Sequence, residues 1–233
     1  MGTIEAVSRS IESIDPPHGF DIAVMVSNKS SGSNFRALLE AEARGELGNA
    51  RIKMGIADRI TAPALQHGRD FGRGVAGIRY RVINGDTEAF RDFFTSEVAT
   101  FLNTQNIKIA VMAGFNRKLN KNFFKEYEGE LLNVHPGALP DENGDPYVYE
   151  ETGEVLPWNP GMMTEDAIQV SFDRGLSVVS STVHIATEEL DKGPVLIRVF
   201  EKIVTGDTPT TAYARLKVKE SQGLIQAINS LAR

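Results

Sequence analysis

The stretch Leu131-Leu132-Asn133-Val134-His135-Pro136-Gly137-Ala138-Leu139-Pro140 carries two polar side chains, Asn133 and His135, at the end of an apolar run. Because side chains alternate along a strand, these two point to the same face, roughly 6 to 7 Å apart. Pro136 cannot donate to a sheet ladder, so we expect the strand to stop there. An amide and an imidazole would then lie at the carboxyl end of a strand, where open α/β sheets bind ligands. The stretch therefore predicts a functional site.

Strand and helix patterns alternate on both sides of this stretch. Ile22–Val26 is a continuous apolar run, which is typical of a parallel strand covered by helices on both faces. Further strand patterns lie at Ile52–Ala57, Tyr80–Ile83, Ile107–Ala113, Ser177–Ile185 and Val195–Val204, with helical spacing between them. The alternation predicts an α/β fold, with a Rossmann-like, open, twisted and mainly parallel sheet and helices on both faces.

The chain is expected to consist of an N-terminal arm, residues 1–20, and a single domain, residues 21–233. Ile4, Val7, Ile11 and Ile14 in the arm have helical spacing, which allows a short helix on its surface. Residues 141–161 combine acidic and aromatic side chains with turn signals at Asn143-Gly144 and Thr152-Gly153. We interpret this segment as an inserted, hairpin-like flap with an acidic outer face.

Composition excludes several classes of protein. The 233 residues have a net charge of -6, which disfavours nonspecific nucleic-acid binding. The absence of cysteine removes disulfides, thiolate catalysis and cysteine-ligated metal sites, and it fits a reducing cytosol. No run reaches the roughly 18 apolar residues of a membrane span. We therefore expect a cytoplasmic protein that binds neither membrane nor nucleic acid.

The loop from Lys29 to Asn34 joins the first strand pattern to the first helical pattern. Exposed backbone N–H groups at a helix N-terminus, with small hydroxyl side chains and Gly32, suit a phosphate or another anion. The simpler alternative is that Ser33 or Asn34 caps the helix. Because neither G-x-G-x-x-G nor a Walker lysine pattern is present, dinucleotide and nucleoside-triphosphate binding are disfavoured.

Four other polar residues are interpreted one by one. Arg117 follows the end of a strand pattern and faces either the same crevice as Asn133 or solvent. His184 lies within a β-branched strand pattern, where a hydrogen-bonded structural histidine is the commoner case. By spacing alone, Asp191 is a turn residue. His67 is most simply a surface histidine on a helix.

Five short motifs, in order, resemble the folate-dependent formyltransferase family. They are Ser31-Gly32-Ser33-Asn34, Ala113-Gly114-Phe115-Asn116-Arg117, Leu132-Asn133-Val134-His135-Pro136, Ser181-Thr182-Val183-His184 and Glu189-Leu190-Asp191-Lys192-Gly193-Pro194. Together they span about residues 21 to 225. The resemblance is closest to the members that act on glycinamide ribonucleotide in de novo purine biosynthesis.

The resemblance implies transfer of a formyl group from 10-formyltetrahydrofolate, as co-substrate, to the amine of glycinamide ribonucleotide, with no metal required. It implies a catalytic triad of Asn133, His135 and Asp191, supported by His184. It further implies partners limited to a small ribonucleotide amine and a folate, with a homodimer left open. The implied binding residues are Gly32, Ser33 and Asn34 for the substrate phosphate, Glu220 for the substrate, and Arg117, Leu119, Ala186 and Thr187 for the folate.

The sequence departs from the family pattern around the acceptor side of the implied site. The phosphate loop is about two residues longer than usual, Gly137 replaces a serine, and the segment 141–161 is inserted. Met163-Thr164-Glu165 stands where the family has His-Thr-His. A sugar-nucleotide amine is therefore an alternative acceptor. An alternative of another class is a folate-binding or nucleotide-binding protein without catalytic activity, which the intact triad disfavours.

Overall fold

A computed structural model describes residues 4–7, 19–80, 87–140 and 144–231. The fold divides into two compact units, one formed by Met1–Leu131 with Leu231–Arg233 and the other by Leu132–Ser230. Within the described residues, no helix is long and apolar enough to cross a membrane. Residues 1–3 and 8–18 of the N-terminal arm, which include Ile11 and Ile14, lie outside the described residues.

The first unit alternates strands and helices. Its elements are β1 (Ile4–Val7), β2 (Phe20–Val26), α1 (Ser33–Ala43), β3 (Ala50–Ala57), α2 (Leu65–Asp70), β4 (Gly74–Ile78), α3 (Thr87–Thr104), β5 (Ile107–Met112) and α4 (Lys121–Glu126). The strand order is β1-β4-β3-β2-β5, in which β4, β3, β2 and β5 run parallel and β1 is antiparallel to β4.

Burial explains this arrangement. The apolar run Ile22–Val26 of β2 is completely buried, as a parallel strand with covered faces should be. Helix α1 buries Phe35, Leu38 and Leu39, which recur at helical spacing, and it packs with α2 against β3. Helix α3 packs with α4 and against β5. The predicted α/β fold with a mainly parallel sheet is confirmed.

The second unit contains an antiparallel group of strands. Strand β6 (Glu130–His135) carries the opening stretch, and the later elements are β7 (Val148–Tyr149), β8 (Glu154–Val155), α5 (Thr164–Asp173), β9 (Val178–Ile185), β10 (Val195–Lys202) and α6 (Pro209–Leu231). Strand β9 pairs antiparallel with both β6 and β10. Helix α6 begins at Pro209, because the fixed φ of proline suits the first position of a helix.

Two sequence-based expectations need comment. The strand pattern Tyr80–Ile83 lies outside the described residues except for Tyr80, which is not in a strand and packs its ring edge-on against Phe90 and Phe94. The strand Gly74–Ile78, which the sequence did not indicate, precedes it and contains two glycines, which weaken a strand pattern. Residues Ile4–Val7 form strand β1, paired with β4, where helical spacing suggested a helix. Main-chain pairing with an available strand overrides a weak periodicity.

The expected hairpin is present as β7 and β8, within the second unit. Tyr149 and Leu156 are buried in a cluster with Ala138 and Val178. The ring of Tyr147 stacks on Phe200 of β10 at 5.5 Å between centroids. The acidic face is partly turned inward, because the Glu154 carboxylate accepts hydrogen bonds from the backbone and hydroxyl of Ser177.

Candidate active site

Asn133 and His135 occupy the end of β6, on one face of the strand as predicted. The antiparallel register pairs Asn133 with His184 of β9, so a third polar side chain joins the same face. His135 and His184 are almost completely buried, at 2% and 1% exposure, whereas Asn133 is half-buried. The pairing therefore gathers an amide and two imidazoles at one position.

The His135 imidazole lies between two hydrogen-bond acceptors. Its Nε2 donates to the Trp158 carbonyl oxygen at 2.6 Å, and its Nδ1 lies 3.4 Å from Oδ1 of Asp191. Because the carbonyl can only accept, this contact requires a proton on Nε2. Nδ1 faces the Asp191 carboxylate, so it is the ring nitrogen that can exchange a proton on that side.

The Asp191 carboxylate is positioned by the backbone conformation of that residue and by hydrogen-bond donors. Its φ is 54°, in the left-handed region that aspartate and asparagine tolerate better than most residues. The Gly161 N–H donates to Oδ2 at 3.0 Å. Burial alone would raise the pKa of Asp191, but the His135 imidazole and the Gly161 N–H outweigh it and hold that pKa below its usual value. The carboxyl group is therefore ionised at neutral pH.

His184 is a neutral structural histidine. Burial lowers its pKa to about 4, even though Asp191 lies 3.8 Å from its Nε2 and acts in the opposite direction. Nδ1–H donates to the Ile185 carbonyl and Nε2 accepts from the Asn133 amide, each at 3.1 Å. The bond to Asn133 fixes the orientation of that amide.

Glu220 of α6 approaches the same strands from inside the second unit. It is 5% exposed, and its Oε2 accepts a hydrogen bond of 2.8 Å from the Ser181 hydroxyl. The Ser181 oxygen also lies 3.1 Å from the His135 carbonyl oxygen. One hydroxyl group thus separates Glu220 from the backbone of β6.

The predicted anion loop lies in the first unit. Gly32, with φ of 70°, is the N-cap of α1, so neither Ser33 nor Asn34 caps the helix as the simpler alternative supposed. A side chain at Gly32 would bring its Cβ to 2.6 Å from the Cβ of Ala64. His67, expected on the surface, is half-buried and lies 3.1 Å from the Ser31 carbonyl through its Nε2. The loop is thus closely packed against α2.

Arg117 is anchored within the first unit. Its Nε and Nη2 donate to Oδ2 of Asp58 at 2.9 and 2.6 Å, and its guanidinium lies 4.5 Å above the ring of Tyr80. Asp58 is only 2% exposed and also accepts from the Asn28 N–H, so this ion pair is built into the strand ends. No sequence motif indicated Asp58.

The other residues implied for folate binding are partly open to solvent. Leu119, in the first unit, is half-buried. In the second unit Ala186 is half-buried and Thr187 is exposed, with its hydroxyl donating to the Glu189 carbonyl at 3.1 Å. Among the described residues, no group of three or more histidine and acidic side chains is arranged to hold a metal ion.

Sequence reasoning missed the roles of Trp158 and Gly161. Both act through main-chain atoms, which no side-chain motif reveals, and both follow the β7–β8 hairpin in the chain. Ser181 belongs to one of the five motifs, and only the structure shows its contact with Glu220.

Comparison with known proteins matches this chain to one family and to curated relatives. Residues 20–228 match the family described as Formyl transferase. The chain is 28% identical over 211 residues to the human trifunctional purine biosynthetic protein adenosine-3, covering 91% of this chain but 18% of that protein. It is 25% identical over 200 residues to the phosphoribosylglycinamide formyltransferase of Escherichia coli, covering 86% and 81% of the two chains.

Solved structures show the same fold. The glycinamide ribonucleotide transformylase 1 of Symbiobacterium toebii superposes with a TM-score of 0.74 at 23% identity, covering 97% of this chain and 93% of the other. The corresponding protein of Geobacillus kaustophilus gives a TM-score of 0.72 at 25% identity, covering 93% and 100%.

Proposed function

The chain belongs to the formyl transferase family, and from that premise we propose that it transfers the formyl group of 10-formyltetrahydrofolate to the amine of glycinamide ribonucleotide. The observation that carries the proposal is the approach of His135 to Asp191, 3.4 Å apart and both buried, with Asn133 on the same strand face as His135. The curated relatives named above act in purine biosynthesis or carry the name of this formyl transfer.

The first step is attack of the substrate amine on the formyl carbon. A carbon–nitrogen bond forms, and negative charge develops on the formyl oxygen. The amide of Asn133 and Nδ1–H of a protonated His135 are the donors proposed for that oxygen, each worth roughly 3 to 4 kcal/mol when well placed in a dry site. The bond from Asn133 to His184 fixes the amide in advance, so that little reorganisation is needed.

The second step moves protons. The attacking amine must lose a proton, and N10 of the folate must gain one as its bond to the formyl carbon breaks. Asp191 is ionised at neutral pH because donors hold its pKa low, so it can accept the proton from the amine, directly or through water. His135 can then supply a proton to the leaving nitrogen through Nδ1.

Substrate binding is assigned in the same proposal. The N–H groups at the start of α1, at Gly32, Ser33 and Asn34, would bind the ribonucleotide phosphate, with the positive end of the helix dipole and the exposed Lys29 beside them. Glu220 would bind the ribonucleotide. Arg117, Leu119, Ala186 and Thr187 would border the folate, which acts as co-substrate without a metal.

Domain organisation is part of the proposal. We take residues 21–233 as one formyltransferase domain with residues 141–161 inserted and residues 1–20 as an additional arm. The chain spans 18% of the length of the human trifunctional relative, so it would correspond to one activity of that protein.

A second acceptor is favoured by one observation. The inserted segment reaches the active site, since Trp158 contacts His135 directly. A reshaped acceptor pocket suits a sugar-nucleotide amine as well. The test is a spectrophotometric assay of 10-formyltetrahydrofolate loss by purified protein with a panel of amines. Activity with glycinamide ribonucleotide supports the proposal, whereas activity with an amino sugar nucleotide alone reassigns the acceptor. Absence of activity with every amine favours a binding protein.

A further inference from the structure

The last residues of the inserted segment contact both members of the His135–Asp191 pair. The carbonyl oxygen of Trp158 accepts from Nε2 of His135 at 2.6 Å. The N–H of Gly161 donates to Oδ2 of Asp191 at 3.0 Å. Both contacts use main-chain atoms, so they depend on the path of the backbone and not on the side chains at positions 158 and 161.

The Trp158 carbonyl can only accept a hydrogen bond, so it requires a proton on Nε2 of His135. Without this acceptor, the neutral imidazole would gain most by turning its proton toward the carboxylate of Asp191, as Nδ1–H. The carbonyl therefore decides which ring nitrogen is basic. That nitrogen is Nδ1, which faces Asp191.

Gly137 makes room for this carbonyl. A Cβ at position 137 would lie 2.8 Å from the Trp158 oxygen and 3.1 Å from the Pro157 oxygen, closer than ordinary contacts allow. The side chain of Asn159 secures the same backbone, since its Nδ2 donates to the Pro136 carbonyl at 3.2 Å. Gly137, which follows β6, thus leaves the space that the Pro157 and Trp158 carbonyl oxygens occupy.

We propose that Trp158 is a positioning residue for formyl transfer: its main-chain carbonyl, admitted by the missing side chain at Gly137, keeps a proton on Nε2 of His135 and reserves Nδ1 for the reaction. This inference rests on the function proposed above. It assigns the inserted segment a role in the reaction through His135.

Nitrogen-15 NMR of the histidine rings in the full chain tests the proton's location. The chain has four histidines, so the signals can be assigned by substitution. In the wild type at neutral pH, Nε2 of His135 is expected to carry a proton, because the Trp158 carbonyl can only accept a hydrogen bond from it. A wild-type ring without a proton on Nε2 at neutral pH would overturn the proposal.

The variant Gly137→Ala displaces the carbonyl. We expect part of the population to carry the ring proton on Nδ1 in place of Nε2 at neutral pH, and kcat to fall about tenfold or more with KM for either substrate changed less than about threefold. Normal kcat, or lost activity with Nε2 still protonated, would contradict the inference. The matched control is Gly153→Asn at the hairpin turn, where φ is 73° and no atom lies within 4 Å of an added Cβ. It should leave the His135 signals and kcat unchanged.

Asn159→Gly provides the same test if Gly137→Ala does not fold. It keeps a residue that accepts the positive φ of 54° and removes the bond to Pro136. The same loss of the Nε2 proton and a smaller fall in kcat are expected, and an unchanged ring and unchanged kcat would reject the inference. The two proposals fail separately: Nε2 protonation in a wild type without formyl transfer would reject the reaction and leave the positioning of His135 intact.

Discussion

Acid should destabilise this protein through His184 before its carboxyl groups titrate. Burial lowers the pKa of His184 from 6.5 to about 4. Between these values the unfolded chain binds a proton that the folded protein does not, so the free energy of unfolding falls as the pH falls below 6.5. Integrating this difference gives a loss of about 3 kcal/mol by pH 4 and about 2 kcal/mol by pH 5.

Asp191 acts in a separate, lower window. Its pKa in the folded state lies below the ordinary 3.8, so the stability it contributes is complete above 3.8 and is lost as the pH falls through the folded value. At pH 5 its contribution has not changed. A comparison of the free energy of unfolding at pH 7.5 and at pH 5 therefore reports on groups that titrate between these values, such as histidines.

The assay is urea denaturation of the wild type and His184→Gln at the two pH values. Glutamine offers an oxygen that can accept from Asn133 in place of Nε2 and does not titrate. We expect the stability difference between the two pH values to be smaller in the variant by about 2 kcal/mol. Equal acid losses in both proteins, or a wild type more stable at pH 5, would refute a buried neutral His184.

Four further substitutions test the site and the core. Asn133→Ala and Asp191→Asn should each lower kcat at least about a hundredfold with an unchanged circular dichroism spectrum, and wild-type turnover would remove the assigned role. Gly32→Ala should raise KM for the phosphate-bearing substrate about tenfold or more, because its Cβ would collide with Ala64, and an unchanged KM would place the phosphate elsewhere. Phe35→Ala should cost about 3 to 5 kcal/mol in urea denaturation, because Phe35 is completely buried, and a loss below about 1 kcal/mol would contradict that packing.

The sequence was sufficient for the parts of the fold with strong periodicity. Continuous apolar runs such as Ile22–Val26 and the amphipathic spacing of α1 predicted their elements correctly, since burial of those side chains determines them. Strand β4 was not predicted because its glycines hide the apolar signal. Strand β1 was missed because its pairing with β4 is a tertiary contact that local spacing does not encode.

The candidate site, like the fold, could be predicted from the sequence only in part. Asn133 and His135 were recognisable because alternation along one strand and a following proline are local properties. Asp191 is 56 positions beyond His135, and only the resemblance connected them before the structure did. The contacts of Trp158 and Gly161 are made by backbone atoms at the end of an insertion. Their positions depend on how the hairpin packs, which a side-chain pattern does not specify.

The central claim is tested most directly by identifying the product. Purified protein should be incubated with 10-formyltetrahydrofolate and glycinamide ribonucleotide, and the ribonucleotide then analysed by mass spectrometry, with Asp191→Asn as the matched control. The account predicts one formyl group added to the ribonucleotide amine, with formation at least about a hundredfold slower in the variant. An unmodified ribonucleotide, or equal formylation by both proteins, would contradict it.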